Sequence, residues 1–215
     1  MWMQQDVVAA APGDSILDAA ALMARKNIRR LPVLKPRLAG PPVLVGIVSA
    51  TDILHAFPPN VNPFAAIAPA PGEHPAVVRQ IMNRRLVTTT PETPIEEAAA
   101  LLRSRKIGAL PVVHEDRLVG IITESDIFRS FVSFLAVPGT GLRVTFDMSR
   151  GEDVFGFIAA AARKRSVRVI SLLSSQQDDR PVCVVRLSGE AVERFMDDLW
   201  ASGHTVLNVL RFPIL

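Results

Sequence analysis

The chain carries one short element twice: Ser49-x-x-Asp52 within "GIVSATDIL" (Gly46 to Leu54) and Thr123-x-x-Asp126 within "GIITESDIF" (Gly120 to Phe128). A hydroxyl residue followed three positions later by a carboxylate is, first of all, a way to begin a helix. An N-cap Ser or Thr accepts a bond from an otherwise unpaired backbone N–H, worth about 1 kcal/mol. A carboxylate in the first turn gains a further ~0.3–1 kcal/mol from the helix dipole. Capping therefore accounts for both residue types with no ligand. The same groups also suit a nucleotide. The start of a helix offers free amides to a phosphate, and the hydroxyl of Ser49 or Thr123 can donate to a phosphate oxygen. An ionised Asp52 or Asp126 only accepts, so it calls for a donor such as the vicinal hydroxyls of a ribose. Just ahead of "LPV" the first copy has Arg29-Arg30, where the second has Gly108-Ala109. Paired guanidinium forks fit phosphate oxygens, or they complement the C-terminal end of a helix dipole. If they reach a cleft, the two sites are unequal: one favours a polyphosphate or AMP-like ligand, and the other is weaker, apolar-lined or empty.

These residues sit in a duplication. "VVAAAPGDSILDAAALMARKNIRRLPVL" (Val7 to Leu34) aligns with "LVTTTPETPIEEAAALLRSRKIGALPVV" (Leu86 to Val113) at a constant offset of 79, as Pro32 is to Pro111. The hydroxyl-x-x-Asp elements are 74 apart, Asp52 to Asp126, so the first copy has five extra residues in the loop "KPRLAGPP". In each copy a short apolar strand ends at proline (Pro12, Pro91). A helix follows, with Ile16, Ala19, Ala20 and Met23 on one face, echoed by Ile95, Ala98, Ala99 and Leu102. Two β-branched runs come next, and a second helix opens at the hydroxyl residue. The predicted order is β-α-β-β-α, twice. Trp2-Met3 aligns with Ile81-Met82 at the same offset of 79, so the first copy holds only the end of a lead-in that the second has as "VVRQIMNR".

The expected organisation is repeat 1 over residues 1–57, a proline-rich connector over 58–75, repeat 2 over 76–136, a linker over 137–141 and a third module over 142–215. That last module reads "LRVTFDMS", "EDVFGFIAAAARKRS", "VRVISLLSS", "PVCVVRLSG", "EAVERFMDDLWASGH", "TVLNVLRF". This is β-α-β-β-α-β, the ferredoxin-like order. The fold class is α/β in the repeats and α+β at the C-terminus.

Composition narrows the functional classes. The net charge is only +3, from 24 cations against 21 anions, which provides no field for nucleic acid. No run reaches the roughly 18 apolar residues of a membrane span, and the N-terminus lacks a secretion signal. One cysteine, Cys183, excludes an internal disulfide and points to a cytoplasmic setting. It lies in an apolar strand, as a buried structural residue does. His55, His74, His114 and His204 are scattered and form no metal-ligand pattern. Gly-rich phosphate loops, G-x-S-x-G and H-E-x-x-H are all missing, so no catalytic residue is assigned and the chain is expected not to be an enzyme.

Two β-α-β-β-α copies, each with "LPV" and a closing "G-[IV]-[IV]-[ST]-x-x-D-I-[LF]", resemble a tandem pair of cystathionine-β-synthase (CBS) domains over about Met1 to Phe134. The resemblance implies two clefts between paired repeats that take adenosine derivatives: AMP, ADP, ATP or S-adenosylmethionine. The aspartate would hold ribose and the hydroxyl residue would lie near phosphate. Ser49 and Asp52 would then serve one cleft, Thr123 and Asp126 the other, with Arg29 and Arg30 on phosphate. The nucleotide would be a regulatory ligand and not a cofactor. The third module resembles an ACT domain, through its element order and Gly151 in "SRGEDVFG", which implies either an amino-acid ligand or dimerisation. The whole, with "NPF" in the connector, is similar to the bacterial acetoin-utilisation accessory family. A homodimer and an output protein of unknown identity complete the expected partners.

Overall fold

In a computed structural model, residues 2–58, 61–65, 76–135 and 141–212 are described. Most of the expected proline-rich connector and residues 137–140 of the expected linker lie outside them. The chain forms two units, Met1–Arg129 and Ser130–Leu215, and the division falls within one helix.

The first unit holds the repeats. Repeat 1 contains α1 (Ile16–Lys26), β1 (Arg30–Lys35), β2 (Val43–Ser49) and α2 (Ala50–His55). A short helix, α3 (Val78–Ile81), leads into α4 (Ile95–Arg105), β3 (Ala109–His114), β4 (Arg117–Thr123) and α5 (Glu124–Leu135). Ser15 caps α1 by accepting from the Leu17 N–H, and Asn27 ends it in the left-handed region. Lys106 ends α4 the same way. The predicted 3–4 stripe is buried throughout in α1 (Ile16, Ala19, Ala20 and Met23); in α4 Ala98 and Leu102 are buried while Ile95 and Ala99 are half-buried. β1 pairs antiparallel with β2, and β3 with β4, each with a register shift at the same place (Val33/Leu34 and Val112/Val113).

The strand expected ahead of Pro12 and Pro91 is reduced to a single parallel bridge in each copy, Ala10 to Val33 and Thr89 to Val112. The following proline has no N–H to extend the ladder.

The far edge of each sheet is completed by the other copy. Asn83, just past α3, pairs with Ile47 of β2, while Gln4 pairs with Ile121 of β4. Met82 lies over Gly46 and Met3 over Gly120, and a Cβ on either glycine would strike the sulfur. Val78, Ile81 and Met82 belong to the core of repeat 1, and Met3 to that of repeat 2. Each repeat therefore docks its leading segment on its partner, and the two are locked into one unit.

The second unit is a four-stranded antiparallel sheet under two helices. β5 (Gly141–Asp147), α6 (Val154–Arg165), β6 (Arg168–Gln177), β7 (Arg180–Ser188), α7 (Val192–Ser202) and β8 (Val206–Phe212) follow in sequence, and the strands lie in the order β6-β7-β5-β8. This is the ferredoxin-like arrangement that the element order predicts. Alternate strand residues, Leu142, Val144, Phe146, Cys183, Val185 and Leu187, meet Val154, Ile158, Phe195 and Leu199 of the helices in one core. Asp198 of α7 accepts from Arg165 (2.7 and 2.8 Å) and Lys164 (3.0 Å) of α6, and these cations hold its carboxyl far below the usual range. Cys183 is buried in this core, and burial raises its thiol pKa, which disfavours the nucleophilic thiolate.

Candidate functional site

The hydroxyl-x-x-Asp elements do cap helices. At the start of α2, Asp52 N–H donates to Ser49 Oγ (3.2 Å), while Asp52 Oδ2 accepts from the Ser49 amide (2.7 Å) and hydroxyl (2.6 Å). Thr123 and Asp126 repeat this at α5, with an amide bond of 3.0 Å and a hydroxyl bond of 2.5 Å to Asp126 Oδ2. Capping occupies only one oxygen of each carboxylate. What happens to the other oxygen distinguishes the two sites.

Around Asp52 the chain leaves a cleft of about 350 Å³ between the repeats, a volume within the small-ligand range. Repeat 1 contributes Arg29, Arg30, Ile47 and Ser49 to Asp52; the second half contributes Asn83, Arg85, Leu86, Val87, Lys106 to Ala109, and Pro111. Ser49, Asp52, Arg29 and Arg30 thus come together, as their sequence assignment to one site requires. Asp52 Oδ1 has no hydrogen-bond partner among the described residues. Four cations, Arg29, Arg30, Arg85 and Lys106, line the same space, and none of them forms an ion pair among the described residues. Such an uncompensated cationic wall raises the local potential and favours an anion.

Arg85, beside Arg84 in a short cluster of cations, and Lys106 belong to no repeated motif. Their signal is topological: Asn83 is paired with Ile47 of β2, two residues before Arg85, and Lys106 ends α4 at the same cleft. The Arg30 guanidinium lies against Gly108, where any Cβ would overlap it. The inequality between Arg29-Arg30 and Gly108-Ala109 is therefore also a steric fit, since the bare position in one copy receives the long side chain of the other.

Thr123 and Asp126 are not part of this cleft. Asp126 is only 3% exposed, and its Oδ1 accepts from Gln4 Nε2 (3.1 Å) and Arg129 Nη1 (3.2 Å). The nearby depression, about 50 Å³, is lined by Trp2, Met3, Thr90, Pro91, Thr93, Ile95, Val112 and Ile122, and does not include either residue. Gln4 is the counterpart of Asn83 at the offset of 79. It is one methylene longer and reaches the carboxylate. Asn83 instead turns its oxygen to the Arg85 N–H (2.8 Å).

Two repeats that exchange their leading segments and share a cleft define a paired-repeat α/β module. The family description "CBS domain" matches residues 1–59 and 78–133, and the chain belongs to the CBS domain family. It is 31% identical over 141 residues to the uncharacterized protein MJ1225 of Methanocaldococcus jannaschii, covering 60% of this chain and 45% of that protein. It thus spans less than half of that relative's length. Among solved structures it is similar to a proposed acetoin utilization protein (AcuB) from Vibrio cholerae, at 28% identity and a TM-score of 0.50, covering 62% of this chain and 89% of the other. It is also similar to the CBS domain pair of protein MJ0100, solved with 5'-methylthioadenosine and S-adenosyl-L-methionine, at 27% identity and a TM-score of 0.49, covering 60% and 91%. The family match to both halves of the duplication establishes the tandem pair inferred from the repeats. The family match ends at residue 133 and leaves residues 134–215 outside it. No described helix is long and apolar enough to cross a membrane, and no described cluster of His, Cys, Asp and Glu could hold a metal.

Proposed function

We propose that this chain is a regulatory protein whose repeats bind an adenosine phosphate (AMP, ADP or ATP) in the cleft around Asp52. The observation that carries this reading is the presence, in one cleft, of a carboxylate oxygen without a hydrogen-bond partner and four cations without an ion pair among the described residues. Asp52 Oδ1 accepts from the ribose hydroxyls, Ser49 lies at the phosphate side, and Arg30, Arg85 and Lys106 bind phosphate oxygens. Because both repeats contribute, ligand binding favours one relative orientation of the repeats, which an output partner then reads. The reading is non-catalytic: the nucleotide is an effector, sensed in a cytoplasmic setting.

The cationic wall also ranks the ligands. S-Adenosylmethionine carries a net positive charge and adenosine carries none, so both bind more weakly than the phosphates. Titration calorimetry on the purified chain is expected to give one site per chain, a dissociation constant roughly in the micromolar to millimolar range, and ATP or ADP ahead of S-adenosylmethionine by at least about tenfold. Tightest binding by S-adenosylmethionine, or none by any of these compounds, would remove the proposal. Silence from all of them would leave an interaction scaffold with a vestigial cleft.

The homodimer belongs to the same proposal. α5 exposes Phe128 (69%), Phe131 (57%) and Val132 (46%) at 3- and 4-residue spacing. A self-complementary apolar stripe of this kind suits an isologous contact with a second copy. Sedimentation equilibrium is expected to show a dimer that Phe128→Asp converts to monomer. A monomeric parent chain would contradict it. The ACT-like reading of the C-terminal unit, with dimerisation or a second small ligand, is supported by its ferredoxin-like strand order.

A further inference from the structure

The cleft around Asp52 is one-sided in charge. Arg29, Arg30, Arg85 and Lys106 line it, and among the described lining residues Asp52 is the one acidic side chain. Capping takes Asp52 Oδ2, which accepts from the Ser49 amide and hydroxyl. A single carboxylate oxygen is left beside four cations. The fold also draws those cations together. The Arg30 guanidinium lies against Gly108 of the other repeat, two residues past Lys106. Lys106 ends α4 in the left-handed region (φ 52°), a conformation that the matching residue of repeat 1, Asn27 (φ 51°), adopts more readily. Position 106 therefore holds a cation where the local backbone favours glycine or asparagine. Such a wall attracts a polyanion.

We propose, resting on the adenosine-phosphate reading of this cleft, that the ligand enters as the metal-free anion and that Mg2+ weakens its binding. Sites that hold a nucleotide together with Mg2+ supply one or two carboxylates to the metal beside the phosphates. Here the free oxygen of Asp52 serves the ribose, and no other described acid lines the space. Mg2+ bridges the β- and γ-oxygens and neutralises their charge. It would take the positions that Arg30, Arg85 and Lys106 use, and it would meet like charges there. Binding of Mg2+ and binding of the cleft to one nucleotide are therefore negatively coupled. ATP, which chelates the metal through adjacent phosphates, is penalised most, ADP less and AMP least. The cleft thus reports the nucleotide that Mg2+ leaves free.

The test is titration calorimetry on the full chain with ATP, ADP and AMP, in EDTA and in excess Mg2+ at matched ionic strength. ATP is expected to bind about tenfold or more weakly in Mg2+, while AMP changes by less than about twofold. Lys106→Asn, the residue type that repeat 1 carries in the same conformation, is expected to weaken metal-free ATP about threefold or more, and AMP less. Arg85→Gln provides the same readout should Lys106→Asn not fold, because the Arg85 contact to Asn83 is made by its backbone N–H. ATP binding as tight or tighter in Mg2+, AMP weakened as much as ATP, or metal-free ATP unaffected by both substitutions would each overturn this inference and leave the adenosine-phosphate reading standing. No binding of any nucleotide in either buffer would remove that reading, and this inference with it.

Discussion

Asp52→Asn is expected to weaken ATP binding about 10- to 150-fold, the equivalent of one charge-assisted hydrogen bond at roughly 1.5–3 kcal/mol. The free chain should melt at nearly the same temperature. Asparagine keeps an oxygen in the place of Oδ2, so the Ser49 amide retains its acceptor, and polar side chains serve well at such caps. The substitution removes the second acceptor and the charge, the two features that a ribose would use. Asp126→Asn provides the internal control. Both Asp126 oxygens are already bound, one by Thr123 and the other by Gln4 and Arg129, so ATP affinity should stay within about twofold of the parent. Calorimetry on the two variants decides the matter. If Asp126→Asn abolishes binding and Asp52→Asn does not, the ligand has been assigned to the wrong half of the pair.

Gly108→Val should produce a loss of similar size without touching a polar group. The Arg30 guanidinium occupies the space that the new Cβ would fill, so it must swing away. β-Branching leaves the side chain little freedom to yield instead. With Arg30 displaced, ATP loses a forked phosphate contact, again about 10- to 150-fold. Two readouts separate this from general damage to the fold. Adenosine, which lacks phosphate, should bind Gly108→Val and the parent alike. The losses in Gly108→Val and Arg30→Ala should not add in the double variant, since both remove the same contact. Additive losses, or an equal loss for adenosine, would show that Gly108 does not act through Arg30.

The family comparison locates the repeats but leaves the differences between them to physical chemistry. Gln4 and Asn83 stand at matching positions, each bound through its backbone to an isoleucine of the opposite sheet. A single methylene decides whether the side chain reaches the carboxylate beyond. Arg129 adds to the asymmetry, because its counterpart at the offset of 74 is His55, the last residue of α2. One site of the pair is thus filled by the chain itself, and the other is left open and cationic.

Much of this was legible in the sequence, for a local reason. The offset of 79 identifies the duplication, the apolar stripe Ile16, Ala19, Ala20 and Met23 defines α1, and hydroxyl-x-x-Asp marks the start of α2 and α5. Each depends on residues within a turn or two of one another, where backbone sterics and side-chain reach are set by the order of the residues alone. The first strand expected in each copy is a single bridge, because apolar character does not reveal how many bridges a neighbouring edge will accept. The exchange of leading segments, the entry of Arg85 and Lys106 into the Asp52 cleft, the nesting of Arg30 on Gly108 and the closure of Asp126 by Gln4 were decided only by the tertiary structure. All four join residues tens of positions apart or more. Such contacts depend on how the sheets and their edges pack, and that is a property of the assembled core, which no short stretch of sequence contains.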